Sequence, residues 1–188
     1  MSQPAPIFDR MTQTEYLEFE KTSSVRHEFI DGWLHAMAGE SKRHNAAARN
    51  ILLALGFKAR DKKCELFVES VKVRTQDSSK YYYPDIVLSC NPGSDTGYIV
   101  ENPCFIVEIL SPSTEATDLR EKLENYTKIP SLMTYLIVSQ TERKVLAYQL
   151  LEGDWARTTL EGQGFAKVPC LDTKITLEEI YDGISFED

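Results

Sequence analysis

The run Cys104-Phe105-Ile106-Val107-Glu108-Ile109-Leu110 is apolar at every position but one. A strand that is apolar on both faces belongs inside a sheet covered on both sides. Its single carboxylate is therefore an anomaly. Side chains alternate along a strand, so Glu108 shares a face with Ile106 and Leu110. An ionised carboxylate there is strongly disfavoured unless it is paired or binds a metal. Its position near the C-terminal end of the strand is where open α/β sheets collect their ligands. A plain pairing with a core Arg or Tyr is the alternative.

The neighbouring segments place this strand. "MTQTEY" opens a helix, with Thr12 and Glu15 at capping-box spacing and Met11 and Tyr16 at staple spacing. Asp31-Gly32 between two short amphipathic runs predicts a hairpin. "SKRHNAAARNILLALGFKAR" reads as a helix, since Ala47, Ile51 and Leu55 recur on one face. "CELFVESVKVRT" and "YYYPDIVLSC" read as one strand each, Pro84 lying near a start or an edge. "SPST" breaks the chain after Leu110, and "DLREKLENYTK" reads as a helix. "LMTYLIVS" and "KVLAYQLL" form a hairpin, and a strand or two with a closing helix near Leu177–Tyr181 complete the chain. The order predicts an α/β chain, a mixed α+β sheet with helices packed on it, in one domain over 1–188. The helix after the Glu108 strand is expected to cross right-handed to a parallel neighbour.

Composition narrows the function classes. Hydrophobic residues make up 42% of 188, enough for a real core. No apolar stretch reaches membrane-span length, and the N-terminus lacks a signal-peptide pattern, so a cytoplasmic protein without a membrane partner is expected. The net charge of −8 argues against a broad basic nucleic-acid face. It is compatible with a local acidic site that holds a cation. The four cysteines, Cys64, Cys90, Cys104 and Cys170, form no C-x-x-C pair and are expected as buried, unreactive thiols.

Asp85 follows Pro84 in a strand that can pair with that of Glu108. Two carboxylates converging on one spot suit a hard cation such as Mg²⁺, which lowers the pKa of a bound water and stabilises charge on phosphate. Lys122, on the following helix, can bring an ammonium to the same point. Each residue also has an ordinary explanation: a strand-start aspartate, and a solvated lysine paired with Asp118 four residues earlier.

Pro84-Asp85 with Glu108-Ile109-Leu110 resembles the PD-(D/E)XK nuclease motif, with Leu110 in the final lysine position and the lysine moved to Lys122. "PDIVL … IVEILSPST … D … K … Y" is more specifically similar to the Uma-two family of restriction-endonuclease-like proteins. Arg26-His27-Glu28-Phe29-Ile30-Asp31-Gly32 matches its early element, His44 its helix-opening histidine, and Asp118, Lys122 and Tyr126 its later signature. After the tyrosine helix the family usually continues "G-V-x-E-Y-W-L-V-D". Here Leu136 replaces the tryptophan and Ser139 the aspartate.

The resemblance implies a restriction-endonuclease-like core, α-β-β-β-α-β, with an added N-terminal helix and hairpin. It implies an endonuclease that hydrolyses phosphodiester bonds with Mg²⁺ or Mn²⁺. Asp85, Glu108 and the Ile109 backbone would hold the metal, and Lys122 would be the catalytic lysine. Glu28 and His44 join as candidate catalytic residues, Glu28 as a further carboxylate and His44 as a phosphate contact or proton shuttle. Ser111 and Thr114 are candidate substrate contacts. The implied partner is nucleic acid, DNA foremost, and a homodimer would allow both strands to be cut. The competing class is a catalytically weak binding or regulatory module on a nuclease fold.

Overall fold

Thr12 opens helix α1 (Gln13–Thr22). Its hydroxyl accepts from the Glu15 N–H, and the Glu15 carboxylate accepts from the Thr12 N–H at 2.8 Å, the reciprocal capping box. Strands β1 (His27–Ile30) and β2 (Trp33–Ala36) form an antiparallel hairpin. Its two turn residues, Asp31 at φ 50° and Gly32 at φ 98°, take the left-handed conformations such a turn requires. Helix α2 (Lys42–Asp61) starts at Ser41, whose hydroxyl accepts from the His44 N–H at 3.1 Å. The structure, a computed structural model, describes residues 10–77, 79–91, 97–110 and 118–186.

Two segments expected as single strands are each two. The run after Cys64 divides into β3 (Glu65–Val68) and β4 (Lys72–Arg74), which lie in different sheets. Between them Glu69 takes a left-handed φ of 51°. The run "YYYPDIVLSC" divides into β5 (Lys80–Tyr82) and β6 (Ile86–Ser89), again in different sheets. Pro84 sits at that break, where its missing N–H costs no ladder bond. The two breaks touch, for the Glu69 N–H donates to the Asp85 carbonyl at 2.9 Å. The chain thus passes between sheets twice at one place, and Asp85 and Glu69 stand there.

The larger sheet has six strands in the order β11-β10-β9-β8-β6-β3. Strand β8 (Phe105–Leu110) is flanked by antiparallel β6 and parallel β9 (Thr134–Ser139). Strands β10 (Lys144–Leu151) and β11 (Asp154–Glu161) extend it as an antiparallel meander. The crossover from β8 to β9 carries a turn of π-helix, Asp118–Lys122, and then helix α3 (Leu123–Tyr126), in place of the continuous α-helix expected from the sequence. The smaller sheet runs β2-β1-β5-β4-β7, where β7 (Ile99–Val100) is a short strand the sequence pattern does not announce. A hairpin of β12 (Phe165–Val168) and β13 (Thr173–Thr176) leads to α4 (Leu177–Ile180).

Both faces of β8 are covered, as its composition requires. Phe105, Val107 and Ile109 pack with Ile51 and Leu55 of α2 and with the C-terminal residues Val168, Ile175 and Ile180. Ile106 faces the other way, into a cluster with Val73, Tyr82, Tyr126 and Ile137. Glu108 therefore lies on the side where the two sheets and α3 meet. A third cluster, Tyr16, Phe29, Leu34 and Tyr81, seats α1 on the smaller sheet.

The cysteines differ from expectation. Cys64–Cys90 and Cys104–Cys170 are disulfide-bonded. Pairing of Glu65 with Ser89 sets Cys64 opposite Cys90, a register that spacing alone does not reveal. Among the described residues, no helix is long and apolar enough to cross a membrane.

A Cβ on Gly32 would meet Arg10 Cγ at 2.5 Å, in a backbone conformation that L side chains rarely adopt. Gly32→Ala should lower stability by about 1–3 kcal/mol, read as a shift of the urea midpoint at unchanged slope.

Candidate active site

Two groups of polar side chains flank the C-terminal half of β8. The first surrounds Glu108, which is 3% exposed. Its Oε1 accepts from Lys122 Nζ at 3.1 Å and from the Tyr126 hydroxyl at 2.9 Å. Lys122 is buried and also reaches Glu28 Oε1 at 2.9 Å. The Tyr83 N–H donates to the same Glu28 oxygen at 3.2 Å. One ammonium thus lies between carboxylates of two different sheets, β1 and β8. Burial, with the charge of Glu108 adding to it, raises the Tyr126 pKa well above the ordinary tyrosine value. The phenol stays protonated and serves as a donor.

The second group is built on Asp85, buried at the sheet crossing. The Ile109 N–H donates to its Oδ2 at 2.6 Å, which ties the carboxylate to β8 one residue beyond Glu108. His44, held at the first turn of α2 by Ser41, brings Nε2 to 3.1 Å from the same oxygen. Burial alone would lower the His44 pKa. The hydrogen bond and charge of Asp85, joined by Glu40 and Glu69, outweigh it and raise the value above that of an ordinary histidine. His44 Nδ1 stands 3.9 Å from Glu69 Oε1. Both atoms are buried and, among the described residues, have no hydrogen-bond partner. The ligand atoms of His44, Glu69 and Asp85 all lie within 4.8 Å of one another. Asp85 and Glu69 also line a cleft of about 470 Å³ with Arg26, Glu40 and Asn45.

One histidine and two carboxylates whose ligand atoms converge beside an open cleft fit a divalent cation. One imidazole among two carboxylates suits Mn²⁺ better than Mg²⁺, which prefers oxygen ligands throughout.

Of the residues expected from the sequence, Glu108, Lys122 and Glu28 meet in one group, and Asp85 and His44 in the other. Ile109 contacts Asp85 through its N–H. Ser111, Ser113, Thr114 and the side chain of Asp118 lie outside the described residues. Glu69 is absent from the sequence expectation, although the polar pair Glu69-Ser70 after Leu66-Phe67-Val68 interrupts the alternation there and signals the break after β3. The Tyr81-Tyr82-Tyr83 run is buried and packs the two sheets.

Removing the ammonium leaves two buried carboxylates without their shared cation. Lys122→Met should therefore cost about 3–5 kcal/mol in chelator-treated protein, measured by equilibrium denaturation.

Residues 13–178 match the family "Uma2: Putative restriction endonuclease". The chain is 29% identical over 185 residues to the uncharacterized protein slr1290 of Synechocystis sp., covering 97% of each. It is 32% identical over 157 residues to the uncharacterized protein sll1609 of the same organism, covering 81% of this chain and 89% of that one. The crystal structure of "a putative nuclease belonging to DUF820" from Anabaena variabilis superposes with a TM-score of 0.73 at 16% identity, over 91% of this chain and 97% of that one. On the extent of these matches, the chain belongs to the Uma2 family and has its restriction-endonuclease-like fold.

Proposed function

We propose that this protein is a divalent-metal-dependent nuclease that hydrolyses phosphodiester bonds, with DNA as the first substrate to test. The observation that carries the reading is the convergence of His44, Glu69 and Asp85, whose ligand atoms lie within 4.8 Å of one another beside a cleft. Asp85, Glu69 and His44 would hold the ion, with Glu40, whose Oε2 stands 3.6 Å from His44 Nε2, as a further carboxylate at the site. Once bound, such an ion activates water and draws charge from a phosphoryl oxygen. Ile109 fixes the orientation of Asp85 through its N–H. Glu28 and Glu108 hold Lys122 in place, and Tyr126 donates to Glu108. The Lys122 ammonium then stabilises negative charge that builds on the phosphate as the attacking oxygen approaches. A metal at Asp85 and the cation of Lys122, on the two sides of β8, would also offset part of the acidic charge of the chain.

Mn²⁺ should support cleavage of plasmid or labelled oligonucleotides by the wild type, with chelator abolishing it. Asp85→Asn should remove activity, and Lys122→Gln should lower the rate by about 10²–10³-fold under conditions where the variant is folded. Mn²⁺ should raise the melting temperature of the wild type and leave that of Asp85→Asn unchanged, since only the folded wild type binds it. Intact Mn²⁺ binding without cleavage of any DNA or RNA substrate would favour a binding module instead.

A further inference from the structure

At the far end of the large sheet, four sulfur atoms from four separate segments meet. Cys64 follows α2, Cys90 follows β6, Cys104 precedes β8, and Cys170 lies in the 3₁₀ turn Pro169–Leu171. They are joined in two bridges, and the bridges abut: Cys90 Sγ and Cys104 Sγ are 3.9 Å apart. The sulfurs of Cys90, Cys104 and Cys170 lie within 4.8 Å of one another. Cys64 and Cys104 are buried against the apolar layer between α2 and the sheet, Cys170 is half-buried and Cys90 is exposed.

We propose that in the reduced chain Cys64, Cys90, Cys104 and Cys170 form a tetrathiolate site for a thiophilic divalent cation of the Zn²⁺ class. Four ligands of one soft type, with no water needed to complete the set, define a closed structural centre. A tetrahedron with metal–sulfur bonds of about 2.3 Å has sulfur–sulfur edges of about 3.8 Å. The contact between the two bridges already has that length. Four thiolates gathered at one point repel each other, and a dication at their centre removes that cost. The site would fasten the end of α2 and the 3₁₀ turn to β6 and β8, the same elements the two bridges fasten. Asp85 and Cys90 bound opposite ends of β6, roughly 17 Å apart at the rise of a strand. The proposal is therefore independent of the nuclease reading, and so is its test.

The full chain is reduced under anaerobic conditions with a phosphine. Each bridge consumes one phosphine, which leaves as the phosphine oxide with the oxygen of a water, and two thiols remain. Co²⁺ alone is then titrated. The expected result is a thiolate-to-metal charge-transfer band and the intense visible absorption of tetrahedral Co²⁺, saturating at one ion per chain and abolished by Zn²⁺. Asp85→Asn should retain the band, because oxygen and imidazole ligands at the other centre cannot produce it. The double variant Cys104→Ser/Cys170→Ser should lose it. If that variant does not fold, protection decides: Zn²⁺ should slow alkylation of the four thiols in the reduced wild type. A folded, reduced chain that shows neither the band nor protection overturns the proposal, and so do bridges that stay closed to the phosphine in the folded protein.

Discussion

The position of the Lys122 ammonium constrains the rest of the structure. It lies between Glu28, on a strand of the smaller sheet, and Glu108, in the middle of the larger one. Two carboxylates could not share this space without a cation, because burial raises the cost of each charge and each opposes the other. The crossover after β8 must therefore deliver its lysine inward, and the turn of π-helix at Asp118–Lys122 is the local backbone that does so. Tyr126, one turn later in α3, then supplies a neutral donor to the same Glu108 oxygen. A buried ionic cluster of this kind gives no net stability over apolar side chains of equal volume.

The sheet crossing is the second constraint. An ordinary antiparallel sheet would have carried β3 into β4 and β5 into β6 without interruption. The left-handed step at Glu69 and the proline before Asp85 instead move both connections from one sheet to the other, side by side. Backbone groups there bond to each other, and the two acidic side chains are turned toward the start of α2. Ser41 completes the arrangement, since the hydroxyl that caps α2 also fixes His44 in its first turn. The cluster of Asp85, Glu69 and His44 is thus assembled by a helix cap and two strand breaks.

These origins explain what the sequence made legible. Glu108 stood out because a charge within an apolar strand violates the period-2 pattern, and the structure gives that charge buried partners. The hairpin at Asp31-Gly32, the capping box at Thr12 and the parallel β8–β9 crossover follow local rules and are found where those rules place them. Glu69 was missed because the run was read as one alternating strand, although Leu66-Phe67-Val68 followed by Glu69-Ser70 breaks the alternation where tertiary pairing makes two strands. The disulfides were hidden because only the register of β3 against β6 brings Cys64 and Cys90 together. Lys122 was legible as a candidate, but its two carboxylate partners depend on which sheets enclose it.

Strand β8 joins the two polar groups. Residues 108 and 109 are consecutive, and their roles alternate with the pleat. Glu108 turns its side chain toward Lys122, while Ile109 buries its side chain on the opposite face and uses its N–H to hold Asp85. A cation bound at Asp85 would pull on the carboxylate that Ile109 orients, and the adjacent residue is the one that positions the ammonium. In a strand packed on both faces neither residue can move alone, because the interior is close-packed and its side chains have no free volume. Metal and lysine would therefore be held in fixed relation by two successive residues of one rigid strand, the requirement for placing opposite ends of one reacting phosphate.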